Sequence, residues 1–212
     1  MGQINNVEQK GGNKTTNYFA SLVATKAEYN IYHYHLDGPI VDVDYYRDLS
    51  VTLATMQEGD TLNLYINSPG GYVDTAVQLC NLIMNCQGTV IGHLVGPSAS
   101  AACSIFLACH GWLVHPYVML MGHTYRGAHY GKGKNEIQHY ADQFNSFFED
   151  MMLDLYYPFF SLEEITEMIE GGKDIWLTSK EINERVDRMD GPLDVITRSA
   201  PPGPNRSAFA GW

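Results

Sequence analysis

The segment Thr89–Cys103 reads TVIGHLVGPSASAAC. Its first seven residues, Thr89–Val95, are mostly branched or apolar and predict a buried strand. The next eight, Gly96–Cys103, hold two serines among glycine, proline and alanine, and carry no charge. An apolar helical run follows to about His110. Small residues at a strand-to-helix turn have two uses. They let a helix approach a sheet closely, or they clear space around a serine nucleophile so that a substrate carbonyl can reach its oxygen and nearby backbone N–H groups. Taken by itself, the octapeptide fits either use.

The strand–turn–helix pattern repeats along the chain. Asn30–Leu36 (NIYHYHL) is rich in aromatic and branched residues and stops at the turn signal Asp37-Gly38-Pro39. Tyr46, Leu49, Leu53 and Met56 recur at helical spacing within residues 42–56. Thr61–Asn67 (TLNLYIN) alternates, with Leu62, Leu64 and Ile66 on one face, and is broken by Pro69, Gly70 and Gly71. Val73, Val77, Cys80 and Met84 then form one helical stripe. Tyr117–His123 (YVMLMGH) predicts another buried strand. The glycine-rich RGAHYGKGK leads into a long helix from about Asn135 to Tyr157. Ser161 with Glu164, and Thr178 with Glu181, have the spacing of capping boxes, the first for a short helix ending at Gly171-Gly172. Strands alternating with helices imply an α/β domain with a largely parallel sheet.

Composition narrows the function. The chain has 212 residues, 45% of them hydrophobic, enough for one domain with a real core. A formal net charge of −11 argues against a nucleic-acid partner. No apolar run is long enough to span a bilayer, and the opening MGQINNVEQKGGNKTTN has no signal-type apolar core. The four cysteines (Cys80, Cys86, Cys103, Cys109) sit in apolar surroundings without a close CxxC pair, which predicts reduced core thiols in a cytoplasmic protein. His110 and His115 are near in sequence, but no further ligands complete a zinc-type set, so no metal is expected. Residues 1–17 are expected to be a flexible arm and residues 198–212, rich in proline, a flexible tail; residues 18–197 form the expected domain.

Ligands of open α/β sheets bind beyond the carboxyl ends of the strands. Three such ends run into Ser68-Pro69-Gly70-Gly71, Gly96-Pro97-Ser98-Ala99-Ser100 and Gly122-His123. If these strands are parallel neighbours, a glycine backbone, a serine and a histidine meet at one edge. Those are the parts for acyl transfer: nucleophile, base and oxyanion donors.

YINSPGG (Tyr65–Gly71), GPSASAA (Gly96–Ala102) and VMLMGH (Val118–His123), in this order and spacing, resemble the proteolytic subunit of the Clp protease family. The likeness continues through the glycine-rich stretch, the long helix, SLEEI (Ser161–Ile165) and DIWLTSKE (Asp174–Glu181). The resemblance implies a crotonase-like spiral of ββα units with a protruding handle helix. It implies a serine endopeptidase acting on polypeptides, with Ser100 as nucleophile, His123 as base, Asp174 orienting His123, and the Gly71 and Ala101 N–H groups as the oxyanion hole. It further implies a ring homo-oligomer, rings stacked through the glycine-rich strand and the handle, an AAA+ unfoldase as possible partner, and no metal or organic cofactor.

Within that pattern Ser98 is the rival nucleophile and His129 the rival base, while Asp174, after EGGK, also reads as a solvated turn residue. The sequence departs from the family at Ala101, where methionine is common, and at Thr124-Tyr125, where glutamine-proline is usual. The Ser100–His123 segment runs slightly short, and the first thirty residues do not resemble the usual axial segment. Such divergence fits a bacteriophage-encoded member and puts unfoldase docking in doubt. A catalytically inactive scaffold subunit, or an acyl-CoA enzyme of the same fold, are the alternative functions.

Overall fold

The computed structural model describes residues 28–127 and 131–190. The expected arm, the expected tail, the outer limits of the expected domain and His129 lie outside the described residues.

The chain folds as an α/β unit around two sheets. Strand β1 (Ile31–Asp37) leads through a 3-10 turn (Val43–Tyr46) into helix α1 (Arg47–Thr55). Strand β2 (Thr61–Asn67), helix α2 (Val73–Asn85) and strand β3 (Thr89–Leu94) follow. After a two-residue strand β4 (Ser98–Ala99) come helix α3 (Ala101–Ala108), strand β5 (Gly111–Val114) and strand β6 (Met119–Gly122). The long helix α4 (Lys134–Tyr156), helix α5 (Leu162–Ile169), strand β7 (Ile175–Thr178) and helix α6 (Ser179–Asp190) complete the described chain.

The larger sheet is parallel, in the order β1-β2-β3-β5. Alternation in β2 does what its sequence predicts: Leu62, Leu64 and Ile66 are buried, and Asn63 and Tyr65 face the other side. Helix α3 is apolar except for Ser104 and buried all round, as a helix without a polar face must be. It lies so close to β3 that a Cβ on Gly92 would stand 3.1 Å from the Phe106 ring. Ala101, Ala102 and Cys103 are themselves part of the buried core, so the small residues after Ser100 do serve packing.

Beside the largely parallel sheet expected stands a second, smaller sheet, ordered β4-β6-β7. Here β4 and β6 are parallel, whereas β6 and β7 are antiparallel. The Gly96–Ser100 turn thus leaves the β3 sheet after Leu94 and pairs with the strand that carries His123.

Helix α4 protrudes. Phe148, Met152 and Tyr156 are its buried residues, while Ile137, Tyr140, Phe144 and Phe147 in the N-terminal part are exposed. The Ser161/Glu164 capping box forms as expected, each side chain bonding the other residue's backbone N–H. Thr178 and Glu181 make the equivalent pair at α6. Glu164 also receives both guanidinium nitrogens of Arg185 at 2.7 Å, which holds its carboxyl below the usual range and ties α5 to α6. The described residues of the glycine-rich stretch, 124–127 and 131–133, contain no strand.

Candidate active site

The small sheet brings the expected triad together by register. Ala99 pairs with Met121, and the Ser100 N–H continues the ladder by donating to the Met121 carbonyl at 2.9 Å. Gly122 pairs with Ile175 across the antiparallel partner. Ser100 is one residue past β4, His123 one past β6, and Asp174 one before β7. All three sit at one edge of the same sheet. Ser100 Oγ lies 2.6 Å from His123 Nε2. His123 Nδ1 lies 3.2 Å from Asp174 Oδ1.

With Nδ1 beside the carboxylate, the tautomer protonated at Nδ1 is the favoured one, and it leaves the Nε2 lone pair facing the serine hydroxyl. Burial pushes the His123 pKa below its ordinary value; Asp174 opposes this and the Arg126 guanidinium adds to it. A neutral imidazole beside a hydroxyl is the protonation state a general base needs.

Ser100 adopts φ 59° and ψ −125°, a backbone region that a residue with a Cβ rarely occupies. The turn is held from both sides. Its N–H is bound to β6, and its carbonyl accepts from Cys103 N–H at 2.8 Å in the first turn of α3. A serine on a strained strand-to-helix turn presents its oxygen outward, and the helix N-terminus behind it favours negative charge.

The oxyanion candidates are placed by the turn after β2. Ile40 donates to the Gly70 carbonyl and accepts from Tyr72 N–H, both at 2.9 Å, forming a parallel bridge around Gly71. In such a bridge the middle residue's own N–H points away from the partner, so the Gly71 N–H is turned from Ile40. Gly70, at φ 88°, packs on the Ser100 turn: a Cβ there would stand 2.5 Å from Ala99 O and 2.9 Å from Ala101 N. Ala101 opens α3, where an N–H has no acceptor within the helix.

Ser98 lies elsewhere. It is buried, and its hydroxyl contacts the Gly96 and Ile66 carbonyls at 3.3 and 3.4 Å. Beside Ser100 and His123 opens an apolar cleft lined by Val73, Val77, Met151 and Met152, with Ser104 and Tyr156 joined by a 3.0 Å hydrogen bond. Cys80 also lines it, but burial pushes its thiol up to about 12. A protonated thiol is a poor nucleophile. Sequence reasoning missed Arg126. Its Nη2 contacts both Asp174 oxygens, at 2.8 and 3.0 Å. An exposed arginine opening a glycine-rich stretch offers no local signal of such a role.

A family model described as Clp protease matches residues 39–185, more than half of the chain. The chain belongs to the Clp protease family. Among solved structures, a ClpP1 point mutant from Listeria monocytogenes is similar at 22% identity with a TM-score of 0.59. The match covers 73% of this chain and 86% of that one. At such identity the likeness speaks for the fold, and the fold is of the Clp protease type. No curated protein matches the chain. Membership of the Clp protease family makes the chain a peptidase by kinship, with polypeptides as the substrate class. Among the described residues, no helix is long and apolar enough to cross a membrane.

Proposed function

We propose that the chain is a serine endopeptidase in which Ser100, His123 and Asp174 form the catalytic triad. The observation that carries this reading is the 2.6 Å contact between Ser100 Oγ and His123 Nε2, on a turn held in a strained conformation. His123 Nε2 takes the hydroxyl proton as Oγ bonds to the substrate carbonyl carbon. The carbonyl oxygen becomes an oxyanion, received by the Gly71 and Ala101 N–H groups. Collapse breaks the C–N bond, and His123 returns the proton to the leaving amine. Water, deprotonated by the same imidazole, then attacks the acyl-enzyme and frees Ser100. Asp174 holds the imidazole in the required tautomer and stabilises its protonated form. The apolar cleft favours an apolar side chain on the acyl side of the cut bond.

The assembly reading is a homo-oligomeric ring, with rings stacked through α4. The exposed Ile137, Tyr140, Phe144 and Phe147 support it, because protruding apolar side chains gain by burial against a second copy. Free, largely buried cysteines support a cytoplasmic setting. An AAA+ unfoldase would supply extended chains to such a chamber.

The test is labelling by a fluorophosphonate together with cleavage of a fluorogenic peptide with an apolar residue at the cut. Wild type should label and cleave, and Ser100→Ala should do neither. Absence of labelling and cleavage in an intact ring would favour the inactive scaffold, and equal labelling of both proteins would remove Ser100 from the role.

A further inference from the structure

Asp174 does not serve His123 alone. Its Oδ1, 3.2 Å from His123 Nδ1, is also 3.0 Å from Arg126 Nη2, and its Oδ2 is 2.8 Å from that same nitrogen. The carboxylate is about one-third exposed, so without a second partner it is free to rotate toward water. A single guanidinium nitrogen bridging both oxygens opposes that rotation. It also places a positive charge against the same carboxylate that would stabilise an imidazolium.

We infer that Arg126 is a positioning residue of this peptidase, fixing the Asp174 carboxylate against His123 Nδ1 and offsetting part of its charge. This rests on the triad reading above. The charged and titratable groups near the imidazole come from every surrounding element. Asp174 precedes β7, and Arg126 and Tyr125 follow β6, with Tyr125 donating to Asn145 on α4. Cys80 lies on α2 and Tyr156 on α4, and burial pushes both of these upward. Cys80 and Tyr156 therefore remain neutral where His123 titrates, which leaves Asp174 and Arg126, among the described residues, as the charges that set its range. Arg126 lowers the proton affinity of His123, and Asp174 raises it.

The inference separates from a merely structural role by pH. A structural loss lowers activity equally at all pH values. Loss of the Arg126 charge instead moves the acid limb of kcat/KM to higher pH, so activity falls more in acid than at the alkaline plateau. Arg126 is exposed, so the plateau itself should change by less than about fivefold, the range of exposed ion pairs. Because one nitrogen does the bridging, a lysine ammonium can replace it.

The experiment measures kcat/KM for the fluorogenic peptide and the rate of fluorophosphonate labelling from pH 5 to 9. The proteins are wild type, Arg126→Lys, Arg126→Gln, Arg126→Glu and Ser100→Ala. The expected order of acid limbs is wild type and Arg126→Lys lowest, Arg126→Gln higher and Arg126→Glu highest, in both readouts. Superimposable limbs for Arg126→Gln, Arg126→Glu and wild type, with Ser100→Ala inactive, would overturn the role of Arg126 alone. Activity of Ser100→Ala equal to wild type would instead overturn the triad reading beneath it.

Discussion

Gly70 is the residue through which the β2 turn touches the Ser100 turn, and Gly70→Ala tests how tightly the two are fitted. Two effects add. At φ 88° an alanine is in left-handed backbone, which costs roughly 1–2 kcal/mol. Its Cβ would also meet Ala99 O at 2.5 Å, Ser100 Cβ at 2.8 Å and Ala101 N at 2.9 Å. These are backbone and near-backbone atoms that cannot swing away, so overpacking adds about 1–3 kcal/mol. The sum, about 2–5 kcal/mol, is a large part of a typical stability of roughly 5–15 kcal/mol. For a chain of this size it corresponds to a fall in Tm of roughly 4–20 °C. Gly38→Ala is the control: its φ is 77°, but nothing lies within 4 Å of the added Cβ. It carries only the backbone cost of roughly 1–2 kcal/mol. The activity effect follows from distance. Restoring an ordinary 3.4 Å contact from 2.5 Å moves the Ser100 turn by nearly an ångström, and displacement on that scale costs on the order of 100-fold in rate. Thermal unfolding at equal protomer concentration, beside the fluorophosphonate labelling rate, measures both. A Gly70→Ala protein as stable as Gly38→Ala, or labelling at the wild-type rate, would refute the fit.

Two further outcomes can be checked with the same preparations. Ser98→Ala should label within about threefold of wild type, because its hydroxyl makes only long contacts of 3.3–3.5 Å to backbone groups and does not reach His123; loss of labelling comparable to Ser100→Ala would contradict the assignment. Stability should also fall in acid through His93 and His123. Burial lowers both pKa values, helped at His93 by His115 and His33 and at His123 by Arg126, against Asp174. The unfolded chain therefore binds these protons first as pH falls below about 6.5, so the stability is fully present above that value and is lost as pH drops through the folded values. A urea midpoint that stays flat from pH 7.5 to 5.5 would count against it.

What the sequence makes legible is local, and what it hides is register. Alternation in Thr61–Asn67 and the Ser161/Glu164 pair are periodic or paired signals, and both elements form where those signals place them. The segment Asp42–Met56 carries a helical stripe, yet its first residues form a 3-10 turn because the chain is still leaving the Pro39 bend. Strand β4 is two residues long, so it has no period to read, and β7 is four residues between a glycine turn and a helix cap. Ser100, His123 and Asp174 are nonetheless adjacent because of these two strands. Along β6 and β7 the pairing Gly122–Ile175 puts the next residue of one strand beside the preceding residue of the other, which is His123 beside Asp174. A slip of one residue would carry the carboxylate to the opposite face of the sheet. The residue after EGGK therefore looks like a solvated turn when read locally and becomes the partner of an imidazole only through the pairing of Met119–Gly122 with Ile175–Thr178. Arg126 is a stronger case of the same kind. Nothing within several residues of it hints at a carboxylate 48 positions later, and its partner is determined by the same antiparallel ladder that delivers Asp174.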